Sequence, residues 1–151
     1  MRYVITGGCG FIGSHVVQLL KSKGKKVAII DKITNRELID QKALLQNVQH
    51  FYLDISDPEL MGKALLPDDI VIHLAAQSHV DVSFKNPVQT TVSNVVGIHS
   101  LLAACVKRGV KKIVIMSTDE VYGEKLNGSF NEQNHLNPTN PYSASKAAAV
   151  A

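Results

Sequence analysis

Tyr142-Ser-Ala-Ser-Lys146 lies downstream of Ser117-Thr118-Asp119-Glu120, and both follow an early run of glycines, Thr6-Gly7-Gly8-Cys9-Gly10-Phe11-Ile12-Gly13. Tyr142 and Lys146 are spaced to share one face of a helix. A phenol with a pKa of about 10 is a poor base at neutral pH, but a neighbouring ammonium favours the phenolate and lowers that value. Such a phenolate can take a hydroxyl proton while hydride leaves the same carbon. The alternative is a Tyr and a Lys exposed on a surface helix. Thr118 suits a hydrogen bond to the reacting oxygen. Asp119 and Glu120 are adjacent, so in an extended segment they point different ways. That suits one acid and one base on different atoms better than a shared metal; a polar loop or a metal-binding pair is the alternative. Simple hydride transfer needs neither carboxylate.

Gly7-x-x-Gly10-x-x-Gly13 follows an apolar run and opens a helical pattern. Glycines there let the backbone approach a pyrophosphate, while the helix start supplies free N–H groups and a positive dipole. The competing explanation is a tight turn with close strand–helix packing. Asp31 ends the second apolar run. A carboxylate there accepts hydrogen bonds from ribose hydroxyls and repels a 2′-phosphate, which predicts NAD over NADP. Lys32 beside it weakens that exclusion, and an ordinary exposed turn Asp is the other reading. Taken together, these segments predict a nicotinamide-cofactor site with acid–base chemistry attached.

The elements that must position them follow from hydrophobic patterning. Residues 2–6 read as a buried strand, Phe11 to Lys23 as a helix stopped by Gly24, and 26–30 as a second strand ending at Asp31. Residues 36–46 are weakly helical. A third strand is expected at 48–53 and a short helix at 57–65, opened by Asp57-Pro58. Strand four is expected at 70–75, a long helix from about Val88 to Lys107 with Gly109 beyond it, and strand five at 112–117. A polar loop containing Gly123, Gly128 and Pro138 leads to a helix starting near Pro141. Alternating Val/Ile-rich strands and helices predict an α/β, doubly wound parallel sheet of Rossmann-like type. Ligands of such sheets bind at the carboxyl ends of the strands, and each chemically unusual segment above falls at one of those ends.

With 151 residues, the length predicts one domain with a substantial core. Sixteen Lys and Arg against thirteen Asp and Glu give a net charge of +3. The cluster Lys21, Lys23, Lys25 and Lys26 reads as a solvated helix end or a weak nucleic-acid patch. Aromatics are few and not interleaved with the basic residues, which argues against a nucleic-acid partner. No apolar stretch reaches membrane-spanning length and no signal peptide opens the chain, so no membrane partner is expected. Cys9 and Cys105 form neither a disulfide framework nor a metal-spaced pair, and reduced thiols in a cytoplasmic protein are expected. The histidines show no ligand spacing, no metal site is expected, and His73 reads as a satisfied core residue.

The segments TGGCGFIGSH, DKIT, Asp54-Ile55, HLAAQSHVDVSF, Ser93-Asn94-Val-Val-Gly, STDEVYG and NPYSASKAA resemble the extended short-chain dehydrogenases/reductases acting on nucleotide sugars. The resemblance is closest to the NAD-dependent epimerase/dehydratase group, and within it to the nucleoside-diphosphate-glucose 4,6-dehydratases. STDEVYG discriminates, because epimerases and decarboxylases of the family usually carry other residues where Asp119 and Glu120 stand. The resemblance implies that Phe11 and Ile12 flank the pyrophosphate and that Asp31, Lys32, Ile33 and Thr34 surround the adenosine ribose. It implies Asp54 and Ile55 beside the adenine, Leu74, Ala75, Ala76, Gln77 and Ser78 on the nicotinamide side, and Ser93 near the cofactor. Ser78 and Thr118 would touch the sugar. Tyr142 would be the base for oxidation at C4, with Lys146 on the nicotinamide ribose. Glu120 would take the C5 proton, Asp119 would protonate the leaving C6 hydroxyl, and hydride would return to C6.

Gln77 replaces a glutamate and Val82 an arginine usual in the bacterial dTDP-glucose enzymes, so dTDP- and UDP-glucose both stay open as substrate. Family members are about twice this long. Residues 1–151 are therefore expected to be the NAD-binding domain of a homodimeric enzyme, with the final helix incomplete and the substrate domain absent. A 4-epimerase, which needs only the glycine turn, Asp31, Tyr142 and Lys146, is the alternative activity; a fragment that binds NAD and catalyses nothing is the other alternative.

Overall fold

The computed structural model describes residues 1–32 and 44–150. The chain divides into two compact units, Met1–Ala75 with Ser100–Met116, and Ala76–His99 with Ser117–Ala151.

The first unit is built on five parallel strands in the order β3-β2-β1-β4-β5. They are β1 (Tyr3–Thr6), β2 (Val27–Asp31), β3 (Gln49–Tyr52), β4 (Ile70–His73) and β5 (Lys112–Ile115). Their Val and Ile residues alternate between two faces, as the pleat demands. Val4 lies in register with Ala28 and Val71, and packs with Met61, Ala64 and Leu65 and with Leu101 and Cys105. Ile5 lies in register with Ile29, and packs with Val17 and Leu44. Apolar cover on both faces is the doubly wound arrangement expected.

Helix α1 (Phe11–Ser22) ends where Gly24 takes φ +64 and donates its N–H to the Lys21 carbonyl. Lys21 reaches the carbonyls of Leu44 and Gln46, so part of the lysine cluster has a structural task. Helix α2 (Pro58–Ala64) starts as expected, with the Asp57 carboxylate accepting from the N–H groups of Glu59 and Leu60. The weak helix expected at 36–46 falls mostly outside the described residues.

Opposite the carboxyl ends of the strands, Arg2 and Asp69 form a two-pronged ion pair at 2.7 and 3.1 Å. Their side chains are only 13% and 2% exposed. Asp69 also accepts from the Leu66 N–H, and Arg2 donates to the Ala64 carbonyl and Gln49. Asp69→Ala strands a largely buried guanidinium, so a loss of about 3–5 kcal/mol is expected in denaturant unfolding. An unmoved unfolding midpoint would mean the pair contributes nothing.

The second unit holds α3 (Val80–Lys85), which the sequence did not predict, and α4 (Pro87–Thr91). A π-helical turn, Val92–Val96, follows, and then α5 (Gly97–Arg108), whose later residues belong to the first unit. The expected long helix 88–107 is thus realised with a π insertion inside it. A 3₁₀ turn (Asp119–Tyr122) and α6 (Pro141–Ala148) complete this unit.

Candidate functional site

In the first unit the chain leaves β1 at Thr6 and turns at Gly7, which has φ +70. A methyl group on Gly7 would lie 2.7 Å from the Ala75 backbone nitrogen. One on Gly13 would run into the Gly7 carbonyl, and one on Gly8 would meet the Ile29 side chain at 2.8 Å. Packing therefore demands these three glycines, and Gly8 was not singled out from sequence. Gly10 is different: its Cβ would meet only the Gly7 carbonyl, at 3.3 Å. Gly10 is also the N-cap of α1, and no side chain closes that helix end. Phe11 and Ile12 just beyond it are 74% and 54% exposed. An uncapped helix start with bare backbone before it fits a dinucleotide's diphosphate.

Asp31 ends β2, and its carboxylate accepts the Cys9 N–H at 2.9 Å, tying it to the glycine turn. Lys32 pairs with Asp54 at 3.0 Å. Burial would raise the Asp54 carboxyl, but hydrogen bonds from Ser56 and the Lys32 ammonium outweigh it and hold the group below the usual carboxylate range. The pair is half-exposed and adds little stability. It does match the Lys32 charge, which the sequence reading set against exclusion of a 2′-phosphate. Ile55 is buried in the core at 7% exposure, so its backbone alone could border a base. Ile33 and Thr34 lie outside the described residues. Leu74 and Ala75 follow β4, and both donate N–H groups to the Thr6 hydroxyl at 3.3 Å. That hydroxyl also meets His73 Nδ1 at 2.7 Å, so the buried His73 is satisfied as expected.

Cys9 and Cys105 are free and buried, and burial pushes both thiols up to about 11, with a smaller push from Asp31 and Asp69 respectively. Against a free thiol of pKa about 8.5, that leaves a thiolate fraction a few hundred-fold lower at neutral pH. Alkylation of the folded chain is expected to be at least about a hundredfold slower than of free cysteine, and to rise with pH toward 11. Rapid labelling at pH 7 would contradict this.

In the second unit, Thr118 caps the 3₁₀ turn by accepting the Glu120 N–H at 3.3 Å and donates to Asp119 at the same distance. The segment is therefore a tight turn and not extended, although Asp119 and Glu120 still diverge: Asp119 is exposed and Glu120 half-buried. Thr118 and Asp119 line an open cleft of about 480 Å³ with Tyr122 and Leu136. Glu120 Oε2 accepts from Asn140 Nδ2 at 3.0 Å. Asn140 caps α6, Pro141 occupies its first turn, and Tyr142 and Lys146 are buried on it.

Tyr142 departs from one expectation. Its phenol is pushed up, first by burial, then by Glu120 and, more weakly, Asp119; only a hydrogen bond with Thr118 pulls it down. Burial pushes the Lys146 ammonium down. Desolvation and two carboxylates therefore outweigh the lowering expected from a lysine one turn away.

Two further polar residues hold this unit together. Asn94, in the π turn, accepts the Gln77 N–H at 2.8 Å and donates to the Gln77 carbonyl and Ser145 hydroxyl, both at 2.9 Å. Ser83 on α3 is fully buried; it accepts the Tyr142 N–H at 3.1 Å and donates to the Val80 carbonyl. Ala76 and Ser78 are exposed on either side of Gln77, and Ser93 takes a long hydrogen bond from Gln89. Only the helix start near Pro141 was legible in advance; nothing in the pattern marks the Asn140 cap or Ser83. Among the described residues no helix is long and apolar enough to cross a membrane, and no cluster of three His, Cys, Asp or Glu residues could hold a metal ion.

Residues 4–151 match the family model described as GDP-mannose 4,6 dehydratase. The dTDP-D-glucose 4,6-dehydratase of Dictyostelium discoideum is 42% identical, over 98% of this chain and 38% of that protein. The crystal structure of DesIV, a dTDP-glucose 4,6-dehydratase from Streptomyces venezuelae with NAD and TYD bound, matches with a TM-score of 0.89 at 37% identity, over 99% of this chain and 49% of that one. The UDP-glucose 4-epimerase of Thermus thermophilus, in complex with NAD, matches with a TM-score of 0.86 at 39% identity, over 99% of this chain and 49% of that one. The chain thus spans half or less of the length of these relatives.

Proposed function

We propose, since this chain belongs to the GDP-mannose 4,6-dehydratase family, that residues 1–151 are the NAD-binding, Rossmann-like part of a nucleoside-diphosphate-glucose 4,6-dehydratase, a homodimeric lyase. The observation that carries this reading is the company Tyr142 keeps. Thr118, Asp119 and Glu120 all act on its phenol within one unit, so an alcohol-oxidising group stands beside two extra carboxylates.

Bound NAD would accept hydride from C4 of the sugar and give it back at C6. The open start of α1 and Gly10 would take its diphosphate, Asp31 its adenosine ribose, and Lys146 its nicotinamide ribose. Tyr142 takes the C4 hydroxyl proton, with Thr118 bonded to the same oxygen. The ketone at C4 makes the C5 proton acidic, and Glu120 removes it. Asp119 delivers a proton to the departing C6 hydroxyl, which leaves as water. With hydride back at C6, Glu120 returns a proton to C5, and the product is a 4-keto-6-deoxy sugar. Each of these proton transfers contributes roughly 10²–10⁴-fold. Similarity to both dTDP-D-glucose and UDP-glucose enzymes supports a nucleoside diphosphate of glucose as the substrate class.

The Thermus epimerase supports a second reading, inversion at C4, which leaves Asp119 and Glu120 without a task. Calorimetric titration with NAD, followed by dTDP- or UDP-glucose and mass analysis, separates the readings. Loss of water with a 4-keto-6-deoxy product supports the dehydratase, and a C4-inverted product of unchanged mass supports the epimerase. NAD binding without turnover means that residues 1–151 alone are a cofactor-binding piece. Absence of NAD binding would refute the reading altogether.

A further inference from the structure

We propose that Asn140 is a positioning residue that ties the Glu120 carboxylate to the first turn of the helix carrying Tyr142. The proposal deepens the reading above, in which Glu120 and Tyr142 serve one reaction.

Asn140 uses both ends of its amide. Oδ1 accepts the Ser143 N–H at 2.8 Å and so caps α6, while Nδ2 donates to Glu120 Oε2 at 3.0 Å. Ser143 completes the capping box, its hydroxyl accepting the Asn140 N–H at 3.1 Å. Capping needs only an oxygen acceptor, and Ser or Asp supplies one as well as Asn. The amide nitrogen is therefore surplus to the helix, and its recorded bond goes to Glu120. Ser and Thr also carry a donor, but on a shorter side chain whose single oxygen must serve both partners; Asn gives the helix its oxygen and the carboxylate a separate, farther-reaching nitrogen.

A glutamate side chain loses considerable rotamer freedom when fixed. Glu120 is held at two points: its N–H by the Thr118 hydroxyl and its carboxylate by Asn140. The 3₁₀ turn and α6 are thereby fastened to each other at the base that must reach C5. Positioning of this kind matters because small displacements of a proton acceptor cost large factors in rate. The charges around Tyr142 are few. Glu120 and Asp119 press on it from the 3₁₀ turn, and Lys146 is buried on its own helix. Asp81 and Lys85 of α3 are exposed, and 87–96 carries no charged residue.

The test uses this chain with 3-fluorotyrosine in place of tyrosine, which brings every phenol into an accessible titration range. Tyr142 is followed by fluorine NMR and assigned with Tyr142→Phe. Glu120→Gln is expected to shift the Tyr142 titration to lower pH, because a negative charge beside the phenol is gone. Asn140→Ser keeps the cap and is expected to shift the titration the same way with little change in melting temperature. In a Glu120→Gln background, Asn140→Ser is expected to add nothing. A Tyr142 titration unmoved in Asn140→Ser, or an equal movement with and without Glu120, would overturn the proposal. Should Asn140→Ser disturb folding, Asn140→Thr likewise replaces the amide nitrogen with a shorter hydroxyl and is read the same way. The readout needs no turnover, so a failed sugar assay would remove the reaction and leave this tether standing, whereas a flat titration would do the reverse.

Discussion

An Asp119→Asn, Glu120→Gln double variant is expected to lose 4-keto-6-deoxy sugar formation by about 10²–10⁴-fold for each proton transfer removed, while cofactor reduction persists. The amides are close in shape to the acids they replace. Thr118 can still cap the 3₁₀ turn, and Asn140 can still donate to the side-chain oxygen of residue 120. Oxidation at C4 depends on Tyr142, which the substitutions leave in place. The two carboxylates hold the Tyr142 phenol up, so removing them lowers its pKa. Since the phenolate is the active base, the limb on which C4 oxidation rises with pH should move to lower pH. In single turnovers, nicotinamide absorbance should therefore appear and stay, without solvent deuterium entering C5. Dehydration at the parent rate would sink the roles assigned to both residues.

Gly13→Ala and Gly10→Ala are expected to fail in different ways. A methyl on Gly13 collides with the Gly7 carbonyl and approaches Gly8 Cα to 2.8 Å, which is backbone against backbone and cannot be relieved by a side-chain rotation. Overpacking of this kind costs about 1–3 kcal/mol, sometimes more, and should appear as a lower melting temperature with or without cofactor. A methyl on Gly10 needs only a few tenths of an ångström from the Gly7 carbonyl but puts Ala at the N-cap, so a stability loss smaller than that of Gly13→Ala is expected. That methyl would stand where a diphosphate must approach the helix start. A loss in NAD affinity of about tenfold or more, equivalent to ~1.4 kcal/mol or more, is expected by calorimetry. If Gly10→Ala binds NAD like the parent chain, the glycine turn exists for packing and the cofactor reading of this loop fails.

The sheet was legible because β1, β2, β4 and β5 are short Val/Ile runs, whereas β3 (Gln49–Tyr52) carries neither residue; the glycine turn was legible because it separates a strand pattern from a helical one. Strand four was read two residues too long: the Leu74 N–H still reaches the Thr6 carbonyl at 3.1 Å, but the Ala75 N–H turns to the Thr6 hydroxyl. Helix α3 escaped notice for a physical reason. It buries Ser83 completely while leaving Phe84 61% exposed, the reverse of the pattern on which periodicity relies. The π turn carries no residue signature, and its Asn94 gains meaning only once Gln77 and Ser145 are seen beside it. Asp119 and Glu120 were recognised as chemistry, but their turn was read as extended; the Thr118 hydroxyl, which caps it, decides otherwise. Arg2 and Asp69 stand 67 residues apart, a separation at which no local pattern operates. The direction in which the Tyr142 phenol moves was misjudged because burial, invisible in the sequence, is its largest cause.

The helix that bears Tyr142 opens on a hydrogen bond from outside itself. Its first turn leans on Ser83, 59 residues earlier in the chain. Tyr142 thus owes its seat to a residue far back in the chain, and Ser83→Ala is expected to loosen that seat by leaving the Tyr142 N–H without its partner.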